Sequence, residues 1–371
     1  MTGERIDDVV VVGGGIIGCA IAREAARAGL RVRLLEKGAI GGEASGAAAG
    51  LLCPQAEGDA HDPLFGFGLA SRDLYPEFVR QLAEESGIDP ALSERGTLVL
   101  ARPGPQAEGL DRSAAAQASL GLAAERLSGD ELRRMEPGLH PDWSEGLYLP
   151  RDGSIDNVVL MRALEAAAAR WGARLLAGVR VDRLLVEDGR VAGVLAGGER
   201  VRAGAVVVAA GAWTSDIGGP GIPPLPSIPV RGQIVCFGPA PAPALPLYTH
   251  DFYLVPRRDG RVLAGSTMER AGFDTSVTGS GLASLSAKAL ALVPALGAAP
   301  LHSVWAGLRP ATPDDRPAIG RARAPGLLYA CGHLRSGILL APLTARLIGR
   351  LLREEDPGMD LSPFDPRRFS D

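Results

Sequence analysis

The strongest constraint on this chain lies near its start, where a valine-rich run, Asp8 to Val12, leads directly into Gly13-Gly14-Gly15-Ile16-Ile17-Gly18. So uniformly apolar a run reads as a strand buried on both faces, and the glycines that follow have GxGxxG spacing. Gly13 permits a tight turn, Gly15 lets the backbone approach a pyrophosphate, and Gly18 lets the next helix pack closely on the strand. That helix is expected from about Ile16 to Arg27, with Ala20, Ile21 and Ala25 toward the sheet and Gly29 at its end. Its first N–H groups and the positive end of its dipole suit phosphate. The next strand, Arg31 to Leu35, ends in Glu36, an acceptor for ribose hydroxyls that disfavours a 2′-phosphate. In a chain with 49 glycines a lone glycine motif is weak. Strand, glycine turn, helix, strand and acid in that order read as a dinucleotide site.

Past the acid, Gly41 to Leu51 is a run of small residues whose backbone can lie against a cofactor extending beyond the pyrophosphate. A flexible linker would more often be followed by polar residues than by Leu51-Leu52. The 371 residues, nearly half of them apolar, can bury a sizeable core, which excludes a small module. A net charge of -4 gives no basic field for nucleic acid, so a small molecule is the expected partner. Cys19, Cys53, Cys236 and Cys331 are far apart, which indicates neither a zinc site nor a disulfide framework and fits a reducing cytoplasm. No metal is expected. Met1 to Asp8 lacks the pattern of a signal peptide, and no apolar run approaches membrane-spanning length.

Along the middle of the chain an alanine-rich helix is expected from Asn157 to Trp171. A strand near Arg174 to Leu176 and a meander at Val179–Val186 and Val191–Leu195 follow it. Val206 to Ala209 is another buried strand, and Gly211 just beyond it lets the backbone come close to a ligand. Val230 to Phe237 opens a second strand-rich region. Phe252–Pro256 and Arg261–Ser266 read as a hairpin around Arg257-Arg258-Asp259-Gly260.

Three further segments carry the pattern of a site. They are Asp251 to Arg257 with Gly265 to Glu269, then Trp305 to Asp314, then Cys331 to Pro342 with its Cys-Gly-His-Leu-Arg-Ser-Gly run. Together with GGGIIG, Glu36 and Ala-Ser-Gly-Ala-Ala-Ala-Gly-Leu-Leu at 44–52, they resemble the amino-acid oxidase superfamily of flavoproteins over essentially the whole chain. Within it they are most similar to the glycine oxidase branch that supplies thiazole synthesis for thiamine.

The resemblance implies an α/β fold, with a Rossmann-like FAD-binding domain on a parallel central sheet interleaved with an α+β substrate domain carrying a large antiparallel sheet. FAD-binding segments would be 1–85, 146–222 and 306–371, and substrate-domain segments 86–145 and 223–305. FAD would be held non-covalently, since no cysteine stands in Arg309-Pro310-Ala311. Its contacts would be Gly13, Gly15, Ile16, Ile17, Gly18, Glu36, Lys37, Ala44, Ser45, Ala49, Gly50, Leu51, Val181 and Gly211. The last helix would add Gly332, His333, Leu334, Arg335, Ser336, Gly337, Ile338 and Leu339, its amides facing the flavin where negative charge grows on reduction.

Arg309 is the candidate for the substrate carboxylate, because a planar guanidinium matches two carboxylate oxygens, although in so arginine-rich a chain a structural ion pair is its rival. Tyr253 would add a phenolic hydrogen bond, Arg335 would lie between flavin and substrate, and Met268 would wall the pocket. Asp251 stands where the family often has histidine; it either pairs with the substrate ammonium or reaches solvent. The implied reaction is hydride transfer from the α-carbon of a neutral amine to flavin N5, with oxygen reoxidising the flavin to hydrogen peroxide. Rival readings are a sarcosine, proline or small D-amino acid oxidase, a quinone-linked dehydrogenase, and an inactive flavin-binding scaffold. Resemblance alone suggests a homotetramer and transfer of the imine to thiazole synthase.

Overall fold

A computed structural model of the protein describes residues 6–369, so Met1–Arg5, most of the polar lead into the first strand, lie outside it. The strand Asp7–Val12 is the middle of a parallel sheet, with Val32–Leu35 on one side and Glu199–Val208 on the other. Arg174–Leu176 extends the sheet beyond the first neighbour and Leu327–Cys331 beyond the second, both in parallel. The valine run is apolar on both faces because both are covered. Val9 and Val11 pack beneath the helices Ile16–Arg27, Asn157–Arg170 and Gly337–Leu352, while Val10 and Val12 face the meander of Val181–Glu187 and Arg190–Ala196. The first helix begins and ends where expected, and Ala20, Ile21 and Ala25 are buried in its core face.

A second sheet runs in the order Leu301–Ala311, Ile228–Phe237, Val262–Gly265, Tyr253–Pro256, Leu247–Tyr248, Thr97–Ala101, Glu145–Leu149, Glu125–Ser128. Its pairs are antiparallel except that Leu247–Tyr248 lies parallel to Thr97–Ala101. The expected hairpin is present as Tyr253–Pro256 against Val262–Gly265, with Pro256 opposite Val262 and Gly260 at φ +84° in the turn. The helix Gly279–Leu292 covers one face through Leu285, Ala289 and Leu292.

Two of the boundaries expected from the sequence cut strands. Positions 145/146 fall inside Glu145–Leu149 and positions 305/306 inside Leu301–Ala311, so the second sheet runs on to Leu149 and to Ala311. Hydrogen bonding runs unbroken along both strands across those bounds, which the resemblance alone had implied. Among the described residues no helix is long and apolar enough to cross a membrane.

Candidate active site

A cavity of about 350 Å3 runs from the carboxyl ends of the parallel strands to the face of the second sheet. At its first end the wall is mostly main chain. Gly13 sits at φ +110°, and a side-chain carbon there would lie 2.4 Å from the Ala209 carbonyl oxygen. One on Gly18 would lie 1.9 Å from the carbonyl oxygen of Gly13, so the helix can approach the turn only because both residues lack a side chain. Gly15 caps the helix without any side-chain hydrogen bond. The Ile16 amide donates to Ser45 Oγ at 2.9 Å, which ties the small-residue run to the helix end.

Glu36 ends its strand with one carboxylate oxygen accepting from the Gly14 amide at 2.7 Å and the other from the Gly38 amide at 2.8 Å. Lys37 places its ammonium 3.1 Å from the ring centre of Trp213, a cation–π contact. Burial lowers the pKa of that lysine against the pull of Glu43 and Glu36. Ala44, Ala49, Gly50, Leu51, Val181 and Gly211 also line the cavity.

The opposite end is built from side chains of the second sheet. Arg309, on Leu301–Ala311, donates to the Thr267 carbonyl at 3.0 Å and to Ser266 Oγ at 2.6 Å. Both partners are neutral, and burial lowers its pKa. The guanidinium lies over Gly232 on the neighbouring strand, where a side-chain carbon would stand 2.1 Å from Nη1. Tyr253 occupies equivalent space over Gly265, where such a carbon would meet its ring at 2.6 Å.

Arg335 donates to the Tyr248 hydroxyl at 2.6 Å and faces Glu57 at 3.4 Å. Glu57 is the main cause of the raised pKa of that arginine. The Glu57 side chain lines the cavity and keeps 21 % of its area open. Desolvation raises its carboxyl, opposed by Arg335 and then Arg309.

The segment into the last helix lines the cavity at His333, Leu334, Arg335, Ser336, Gly337, Ile338 and Leu339. Gly332 turns the chain there at φ +75° without lining the cavity itself. The His333 imidazole points into the core, within 3.2 Å of Thr344 Oγ1, and burial pushes its pKa down to about 3, so its contribution to the cavity is backbone. Ser336 caps the helix Gly337–Leu352 without a side-chain hydrogen bond, which leaves its first amides toward the cavity.

One expectation is corrected and one open alternative is decided. Met268 does not wall the pocket: it is 53 % exposed and absent from the lining. Ser266 and Thr267 take the inward positions, Thr267 accepting from both Arg309 and the Gln233 amide, and the chain then turns Met268 outward. Asp251 is exposed and pairs with Lys288 at 2.5 Å, so of its two readings solvent is the one realised. The sequence reading missed Tyr248, Glu57, Gly232 and Ser266. Tyr248 pairs directly with Tyr253 across the strand, a partnership that the five-residue spacing around a tight turn could have revealed. Glu57 carried no such signal.

The model of the FAD dependent oxidoreductase family matches residues 8–351. The chain belongs to that family. It is 37% identical to a glycine oxidase of Geobacillus kaustophilus over 97% of both chains. The crystal structure of a glycine oxidase from Geobacillus kaustophilus superposes with a TM-score of 0.93 at 36% identity, covering 98% of this chain and 99% of that one. A bifunctional protein ThiO/ThiG of Synechocystis is 35% identical over 99% of this chain, which spans 54% of that longer protein, about half its length.

The protein is therefore an oxidoreductase with FAD as its cofactor, and the residues present fit that group. Gly13 and Gly18 let the helix start close on the turn, Glu36 lines the cavity just past the second strand, and the helix starts at Ile16 and Gly337 open on one cavity.

Proposed function

We propose that the protein uses oxygen and water to oxidise glycine, or an amine of similar size such as sarcosine or a small D-amino acid, to the corresponding oxo acid and hydrogen peroxide, with release of ammonia or, from sarcosine, of methylamine. The observation that carries this reading is Arg309, a half-buried guanidinium at the substrate end whose hydrogen-bonding partners are neutral. A charge so placed calls for an anion, and a carboxylate supplies it with two parallel hydrogen bonds. Tyr253, beside it over Gly265, adds a hydroxyl to the same pocket.

Bound FAD supplies a hydride acceptor next to the pocket. The protein's part is to orient the α-carbon by gripping the carboxylate, to exclude water with Ile234, Leu308 and Ile338, and to favour the amine as its neutral base beside two arginines. His333, neutral and turned away, takes no proton. The likeness to glycine oxidases over nearly the whole chain supports the small substrate. ThiO/ThiG relatives, which continue for about as long again, support delivery of the product imine to a thiazole-forming partner.

The test is Arg309→Ala. We expect flavin content to be unchanged and KM for glycine to rise roughly 30-fold to 5,000-fold, the range for truncating one partner of a hydrogen-bonded charge pair. Unchanged kinetics would remove the carboxylate assignment.

A further inference from the structure

Beneath the short helix Pro54–Glu57 lies a buried polar network that the proposed reaction does not use. Asp152 is fully buried and accepts from the Gln55 amide at 3.4 Å and the Ala56 amide at 2.9 Å. It also pairs with Arg72 at 3.0 Å, and the same guanidinium nitrogen donates to Gln55 Oε1 at 2.7 Å. Gln55 Nε2 donates in turn to Gln117 Oε1 at 2.6 Å and to the Ala123 carbonyl at 3.1 Å. Gln117 closes the circuit by donating to the Gln55 carbonyl at 3.2 Å.

Gln55 is thus gripped, main chain and side chain, from the helix Pro63–Asp73, the helix Pro105–Ser119 and the segment after Glu145–Leu149. A buried charged network is costly when half-satisfied and rigid when complete. No atom of this one is among the unpartnered buried polar atoms of the described residues. The four-residue helix it anchors ends in Glu57, whose carboxylate faces Arg335.

The charges at the substrate end are Arg309, Arg335 and Glu57. Arg335 is engaged by Tyr248 and Glu57, whereas Arg309 has neutral partners. One cation is left without a counter-charge.

We propose that Asp152 is a positioning residue for substrate selection: it holds Glu57 against Arg335, so that the cavity accepts amines bearing one carboxylate and rejects those bearing two. The inference rests on the assignment of the substrate carboxylate to Arg309. With Glu57 displaced or neutralised, Arg335 is free to take a second carboxylate.

The experiment titrates the flavin-loaded protein with glycolate, which has one carboxylate, and malonate, which has two, following the flavin absorption band without turnover. The unaltered protein is expected to bind glycolate about tenfold or more tightly than malonate. Glu57→Gln and Asp152→Asn should each narrow that gap, and the combined variant should narrow it no further than Glu57→Gln alone, the signature of two residues acting through one path. Tm is measured for every variant. Should Asp152→Asn fail to fold, Arg72→Met/Asp152→Asn, which removes both buried charges, replaces it.

A lowered Tm with an unchanged gap overturns the proposal, because Asp152 would then be structural only. Effects that add in the combined variant overturn it too, as does equal binding of the two ligands by the unaltered protein. Arg309→Ala separates the levels of failure: if it keeps its glycolate affinity, the underlying carboxylate assignment falls. If it loses that affinity while Asp152→Asn leaves the gap unchanged, only the present proposal falls.

Discussion

The two ends of the cavity are built from different parts of the polypeptide. One end is main chain: a glycine turn, two helix starts and a run of small residues, with Glu36 bonded to amides two and twenty-two positions away. The other end is side chain: Arg309, Tyr253 and Tyr248 come from the second sheet, Glu57 from the helix Pro54–Glu57 and Arg335 from the segment after the strand Leu327–Cys331, and hydrogen bonds and charge join them. Main chain is placed by local sequence, whereas converging side chains depend on tertiary packing. The first end is therefore the less tolerant of added atoms and the second the less tolerant of shifted ones.

Gly18→Ala tests the first half of that contrast and carries the largest expected effect. The added carbon would meet backbone at 1.9 Å, so the turn must open; we expect protein purified without flavin, checked by its absorption spectrum. Yellow protein with normal cofactor content would break the comparison.

Gly232→Ala is the matching test at the other end. The added carbon displaces the Arg309 guanidinium, so flavin should be retained while KM for glycine rises about tenfold to 100-fold, the worth of a charge-assisted hydrogen bond. A parallel loss of flavin would show that the ends are not independent.

His333 lies between the two. Its folded pKa of about 3 is below the ordinary 6.5, so the stability it confers is complete above pH 6.5 and is lost as pH falls toward 3. Down to pH 5 that is about 2 kcal/mol, at about 1.4 kcal/mol per pH unit. Comparing Tm at pH 7.5 and pH 5, the unaltered protein should lose more than His333→Gln; equal losses would deny the burial of a neutral imidazole. The smallest effect is at Met268, where Met268→Ala should leave KM and kcat within twofold, as expected of a side chain directed outward.

The same contrast governs what could be read in advance. The helix Ile16–Arg27 and the hairpin about Gly260 were legible because turn glycines and apolar spacing act locally. Arg309 and Tyr253 were legible as candidates through resemblance, and the structure brings both to the cavity. Met268 was expected inward on the same grounds and lies outward, because Ser266 and Thr267 fill the inward positions of that segment. His333 was placed at the cavity, but its ring turns to Thr344, a choice made by core packing. Glu57 had no signature at all: its position depends on Asp152, Arg72 and Gln117, spread over 15 to 95 residues of intervening chain.

The strand order of the parallel sheet has one more consequence, for biosynthesis. Leu327–Cys331 completes the sheet beside Glu199–Val208, and the helix start beyond it completes the cavity. An amino-terminal fragment ending before that strand carries the whole glycine turn yet lacks one wall of the cradle. At roughly 5–20 residues per second, many seconds of synthesis separate the glycine turn from the segment that completes the cavity. The cavity is thus complete only once nearly the whole chain has been made, and a nascent polypeptide that stalls between the two has an open cleft.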